Sequence, residues 1–145
     1  MSAHLATGGA MKFPLAVIDF EACALDQESY PIEVGYAIVL APEEPFKTWS
    51  TLIQPAPEWL NSCGWDTDAE RIHGISQRDL RKGMTVREAA EAMNQALAPL
   101  VHVWCDGGHY DALWLRVLFE AAGLQPAFIL HNLSDLLTSV SARER

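Results

Sequence analysis

The chain reads as an α/β domain built on a mixed five-stranded sheet, and three observations carry that reading. Three β-rich segments come first, at 13–20, 32–40 and 46–55. Two helical stripes then alternate with two short apolar strands. Strands followed by helix, strand, helix and strand form an order that packs helices on a sheet with antiparallel and parallel parts.

Each element has a local cause. "FPLAVIDF" (13–20) is strand-like, and the loop after it carries Asp26, Gln27, Ser29 and Pro31. "IEVGYAIVL" (32–40) and "FKTWSTLIQP" (46–55) flank "APEEP", which reads as a hairpin loop, so the first three strands are antiparallel. The polar stretch "DTDAERIHGISQRDLRKG" predicts short helices and turns. In "TVREAAEAMNQALAPL", Thr85 with Glu88 fits a capping box, and Val86, Ala89, Ala90, Met93 and Leu97 form one helical stripe. "VHVWC" (101–105) is a short strand. A second amphipathic helix covers about 108–122, with Leu113, Trp114, Val117, Leu118 and Ala121 on its face and Gly123 at its C-cap. "AFILHNL" is the fifth strand, and Ser134 is placed to cap a last helix starting at Asp135. The stretch 1–12 reads as a flexible leader or cloning remnant, which leaves 13–145 as one domain.

Composition narrows the function classes. A net charge of −9 argues against broad electrostatic capture of nucleic acid. It leaves room for a site where divalent cations bridge carboxylates to phosphate. No apolar run approaches a bilayer span, so no membrane partner is expected. Cys23, Cys63 and Cys105 are odd in number and include no C-x-x-C pair, which points to a reduced, cytoplasmic setting. Cys105 and His109 lack the further ligands a zinc site needs. There is no P-loop, no G-x-S-x-G and no dinucleotide fingerprint.

The chemistry is concentrated in two acidic stretches. Asp19 and Glu21 stand at i and i+2 of the first strand, so both side chains take one face. Paired carboxylates repel and are expensive to bury unless a cation or proton intervenes, and Mg²⁺ takes such oxygen ligands. The plain alternative is a strand emerging into solvent. In "VWCDGGHYDALWL" a strand runs through a Gly-Gly turn into a helix with Asp111 in its first turn, where strand C-terminal ends often hold ligands. Asp106 reads as a turn or capping residue and His109 as an exposed helix-start histidine. Trp59 and Trp65 flank a polar loop and are candidates to stack on bases, whereas Trp104 reads as core packing.

In order, "IDFEA", "RIHGIS" (71–76, followed by Asp79-Leu80) and "YDALWL" resemble the DEDD 3′–5′ exonucleases. That superfamily includes polymerase proofreading subunits, oligoribonuclease and ribonuclease T. The resemblance runs from residue 16 to 137. It implies a ribonuclease H-like fold and two divalent ions, Mg²⁺ or Mn²⁺, with Asp19 bridging them and Glu21 and Asp111 as further ligands. The implied partners are single-stranded or short DNA or RNA with a free 3′ end; a homodimer is left open. His73 lies in the resembling "IHGIS" but is not a catalytic residue of the family, and is read as structural or substrate-side.

Two departures stand out. The family's second motif often has a His-Asn-Ala turn, where this chain has Asp106-Gly107-Gly108. The family also needs a third motif, a general-base His or Tyr followed by a fourth acid. The local candidates, His131 and Asp135, are one residue too close together and follow the fifth strand directly, upstream of where that motif belongs. The chain therefore resembles a family member truncated before its third motif, or a lapsed relative that binds nucleic-acid ends or a protein partner. A metal-free scaffold on the same core is a third reading.

Overall fold

The computed structural model describes residues 12–135. The leader expected at 1–12 and everything after Asp135 fall almost wholly outside them. Five strands form one sheet: β1 (Leu15–Ala22), β2 (Pro31–Val39), β3 (Lys47–Leu52), β4 (His102–Cys105) and β5 (Ile129–Asn132), in the order β3-β2-β1-β4-β5. β1–β2 and β2–β3 are antiparallel, and β1–β4 and β4–β5 are parallel. The mixed sheet expected from the element order is present.

β1 runs two residues later than its sequence pattern suggested, to Ala22, because pairing with β2 continues past Glu21 through a bulge. β3 ends earlier than expected, at Leu52, and Ile53 instead bridges Met84. The polar middle folds as α1 (Thr67–His73), capped by the Asp66 carboxylate, and a 3₁₀ turn at Gln77–Lys82 capped by Ser76. α2 (Val86–Leu97) begins with the Thr85–Glu88 capping box and buries Ala89, Ala90, Met93 and Leu97. α3 (His109–Ala122) ends at Gly123, whose left-handed φ of 69° closes the helix.

One expected cap is corrected. Residues 133–135 are already helical, and the Asn132 side chain accepts the Ser134 backbone N–H at 3.1 Å. Asn132 therefore caps that helix and Ser134 lies inside it.

The core lies between the sheet and α2 and α3. It takes the even positions of β1, Ala16, Ile18, Phe20 and Ala22, with Val103, Cys105, Leu118 and Phe119 from the elements around them. The odd positions of β1 are less buried, and Asp19 is exposed. Among the described residues no helix is long and apolar enough to cross a membrane.

Candidate metal centre

The register of two parallel strands builds the site. Val17 of β1 is paired with Trp104 of β4, so Asp19, in the C-terminal half of β1, and Asp106, just past the end of β4, arrive level with each other. From Asp106 the chain turns through Gly107 and Gly108 into α3, which brings Asp111 back over the same spot. Asp19, Asp106 and Asp111 each place a carboxylate oxygen within 4.8 Å of the others.

The turn needs its glycines. Gly108 has φ 61° and ψ −137°, a conformation closed to residues with a side chain. A Cβ on Gly107 would run into the Asp111 carboxylate. Instead the Gly107 backbone N–H donates to Asp111 Oδ2 at 2.9 Å and fixes that carboxylate against the turn. Asp111 is 1% exposed.

The electrostatics are those of a site short of positive charge. Burial pushes the Asp111 carboxyl up to about 6; Asp19 and Asp106 add to the rise, while the Gly107 amide and the Cys105 thiol oppose it. Asp19 is raised by burial and then by Asp106, against a backbone hydrogen bond from Phe20. Glu21 is raised by burial, then by Asp19, Glu33 and Asp111. Among the described residues none of these acids forms an ion pair. Crowded oxygen donors without a counter-charge have the donor chemistry and charge that a hard divalent cation requires.

Of the residues singled out from sequence, Asp19 and Asp111 meet. Glu21 shares the face of Asp19 but falls outside the close trio. Asp106, expected to be a turn or capping residue, takes the third place and makes no side-chain cap on α3. The signal for it was the parallel pairing of β1 with β4, which local spacing does not encode. His131 is not part of the trio: its ring packs on Trp104 with centroids 4.8 Å apart, and its Nε2 is 2.8 Å from His102 Nδ1. Asp135 is exposed and also outside the trio. His109 is exposed at the start of α3, its ring 4.3 Å from that of Tyr110.

Trp59 is buried and stacked on Tyr30 at 5.5 Å, so it belongs to the core. Half-buried Trp65 donates its indole N–H to Glu70 at 3.2 Å. His73 accepts the Ile75 N–H on Nδ1 at 2.9 Å, which leaves Nε2 carrying the proton in the neutral ring. That Nε2 is buried without a partner among the described residues. Other atoms of His73 line a cleft of about 290 Å³ beside Glu21, with Leu25, Ile72 and Trp114 around it. Leu25 and Ile72 are 72% and 87% exposed, so the cleft has an apolar rim.

No family model matches the chain, and no curated protein is similar to it in sequence. Solved structures are similar in shape. Escherichia coli exonuclease I in complex with a dA16 oligonucleotide superposes with a TM-score of 0.67 at 13% identity, over 88% of this chain and 29% of that one. The complex with a 5cy-dT13 oligonucleotide gives 0.68 at 13% identity. The RNase domain of the yeast Pop2 protein gives 0.51 at 16% identity, over 94% of this chain and 56% of that one. The fold is ribonuclease H-like. At these identities the likeness reaches the fold and stops there, and the chain spans less than a third of the length of exonuclease I.

Proposed function

We propose that this chain is a metal-dependent 3′–5′ exonuclease domain that removes nucleotides from single-stranded or short nucleic acid. The observation that carries the reading is the trio Asp19, Asp106 and Asp111, assembled at strand ends on a fold that nucleases share. Asp19, Glu21 and Asp111 are the proposed ligands for Mg²⁺ or Mn²⁺, and Asp106 joins them. Ions held there supply Lewis acidity to the scissile phosphate and offset the charge that develops on its oxygens.

The chain's own residues have separate tasks in this reading. Asp111 is held still by the Gly107 amide, so its oxygens need little reorganisation to accept a cation. Asp19 and Glu21 present their carboxylates from a strand anchored in the core by Ile18 and Phe20. The cleft beside Glu21 suits the terminal nucleoside, since Leu25 and Ile72 offer it apolar contact. Exonuclease I solved with single-stranded oligonucleotides supports this class of partner.

A second reading, a lapsed relative that binds nucleic-acid ends, draws on the absence of His131 and Asp135 from the carboxylate trio. Without a general base, rate falls by about 10²–10⁴. A 5′-labelled short single strand, incubated with Mn²⁺ or with EDTA, separates the two readings. The exonuclease gives a metal-dependent ladder shortening from the 3′ end, abolished in Asp19→Ala. A folded chain that binds the strand and leaves it intact is the lapsed relative.

A further inference from the structure

Two arginines of this acidic chain share a cleft that the acidic site does not explain. A cleft of about 520 Å³ lies between the end of β3 and the 3₁₀ turn at Gln77–Lys82, and Arg78 and Arg81 line it. A 3₁₀ helix has three residues per turn, so side chains at i and i+3 stand on one side of it. Among the described residues neither arginine has an acidic partner, whereas Arg71, Lys82 and Arg87 are each engaged with a carboxylate. The neighbouring acid, Asp79, is occupied by the Ser76 backbone N–H and by Lys82 at 3.6 Å. The remaining wall mixes polar Gln54 and Gln77 with apolar Pro55, Leu60 and Leu80, and Leu60 is 56% exposed.

The cleft and the carboxylates share one end of the sheet. Leu52 of β3 is paired with Glu33 of β2, and Glu33 with Glu21 of β1. Strands lie about 4.8 Å apart, so this row spans roughly 10 Å. Gln54, two residues past Leu52, donates to Gly83 O at 2.7 Å and forms part of the cleft wall.

We propose that this cleft holds the phosphodiester backbone of a nucleic-acid single strand, a few nucleotides upstream of the end seated at the carboxylates. The proposal rests on the nuclease reading of the acidic site and names where that substrate continues. Two guanidiniums on one side of a turn fit phosphate oxygens, and exposed Leu60 beside Pro55 offers a surface for a base. Charge complementarity selects this occupant: on a chain of net charge −9, two arginines in one cleft, without an acidic partner among the described residues, favour an anion there.

The test is fluorescence anisotropy of labelled dT12 over a salt series in Ca²⁺ buffer, with the full chain and with Arg78→Ala/Arg81→Ala. Hydrolysis of a dinucleotide, too short to reach the cleft, is followed in parallel with Mn²⁺. The expected result is about a tenfold weaker dT12 complex at low salt and a salt slope shallower by about 1.4, since each single-strand phosphate contact contributes about 0.7. Dinucleotide hydrolysis stays at the wild-type rate. Arg78→Lys/Arg81→Lys keeps the wild-type slope, which separates charge from folding. If the wild type binds dT12 and the alanine variant matches its affinity and slope, the cleft is off the strand's path and the nuclease reading survives. If the alanine variant also loses dinucleotide hydrolysis, the arginines serve the acidic site and the proposal is wrong. If the wild type neither binds nor cleaves any strand, the nuclease reading fails and takes this proposal with it.

Discussion

The two faces of β1 place opposite demands on one strand. Ala16, Ile18, Phe20 and Ala22 enter the core, none more than 6% exposed. One residue out of phase, Val17, Asp19 and Glu21 line the other face, where carboxylates gather without a counter-charge. Apolar burial stabilises the first face by about 25 cal/mol per Å² removed from water. The second face is destabilised by like-charge repulsion and desolvation. The strand thus separates the work of folding from the proposed work of binding a cation, and the two respond to different substitutions.

The largest effect belongs to the core face. Phe20→Ala removes a ring packed edge-on against Trp114, with centroids 6.5 Å apart, and is expected to lower stability by about 3–5 kcal/mol. Urea denaturation checks this, and the shift in midpoint on adding Mn²⁺ should persist. Loss of that shift would mean the two faces are not separable.

Gly107→Ala sharpens the comparison from the other side. The added methyl collides with the Asp111 carboxylate and drives it off the Gly107 amide. Divalent-ion affinity should fall about 10–100-fold, the usual range when a ligand's supporting contact is lost. Calorimetric titration with Mn²⁺ measures it, and unchanged affinity would place the ion away from Asp111.

The smallest expected effect is in pH dependence. Asp111 titrates near 6 in the folded chain, above its ordinary 3.8. Between those values the folded state holds the proton more tightly, so the Asp111 contribution to metal-free stability is fully present below pH 3.8 and is lost as pH rises through 6. Between pH 4 and 6 that loss is about 2 kcal/mol. Asp79 and Glu88, lowered by capping hydrogen bonds, act in the opposite direction at more acidic pH. Asp19→Asn should flatten the decline and also remove the stabilisation by Mn²⁺ at pH 7. Urea titrations at pH 4, 5, 6 and 7 test this, and a rise in metal-free stability from pH 4 to 6 would contradict it.

Much of the fold was legible because its causes are local. The α2 stripe, its Thr85–Glu88 box and the Gly123 cap depend on neighbours three or four residues away, and all are present. The Asn132 cap is not legible locally, because Ser134 offers an equally good signal and only the start of the helix at 133 separates them. The first and second acidic stretches were visible, and Asp19 and Asp111 do meet.

By itself the sequence determined the strands, the helices and a strand that ends in acids, since periodicities of 2 and 3.6 residues are written along the chain. The tertiary structure decided which acids meet. The pairing of Val17 with Trp104 sets Asp106 level with Asp19, and the tight turn at Gly107 seats Asp111 over both. It also carried Arg78 and Arg81 to the end of β3, through the bridge between Ile53 and Met84. Such neighbours are fixed by register across a sheet between segments far apart in the chain, and no local spacing records it.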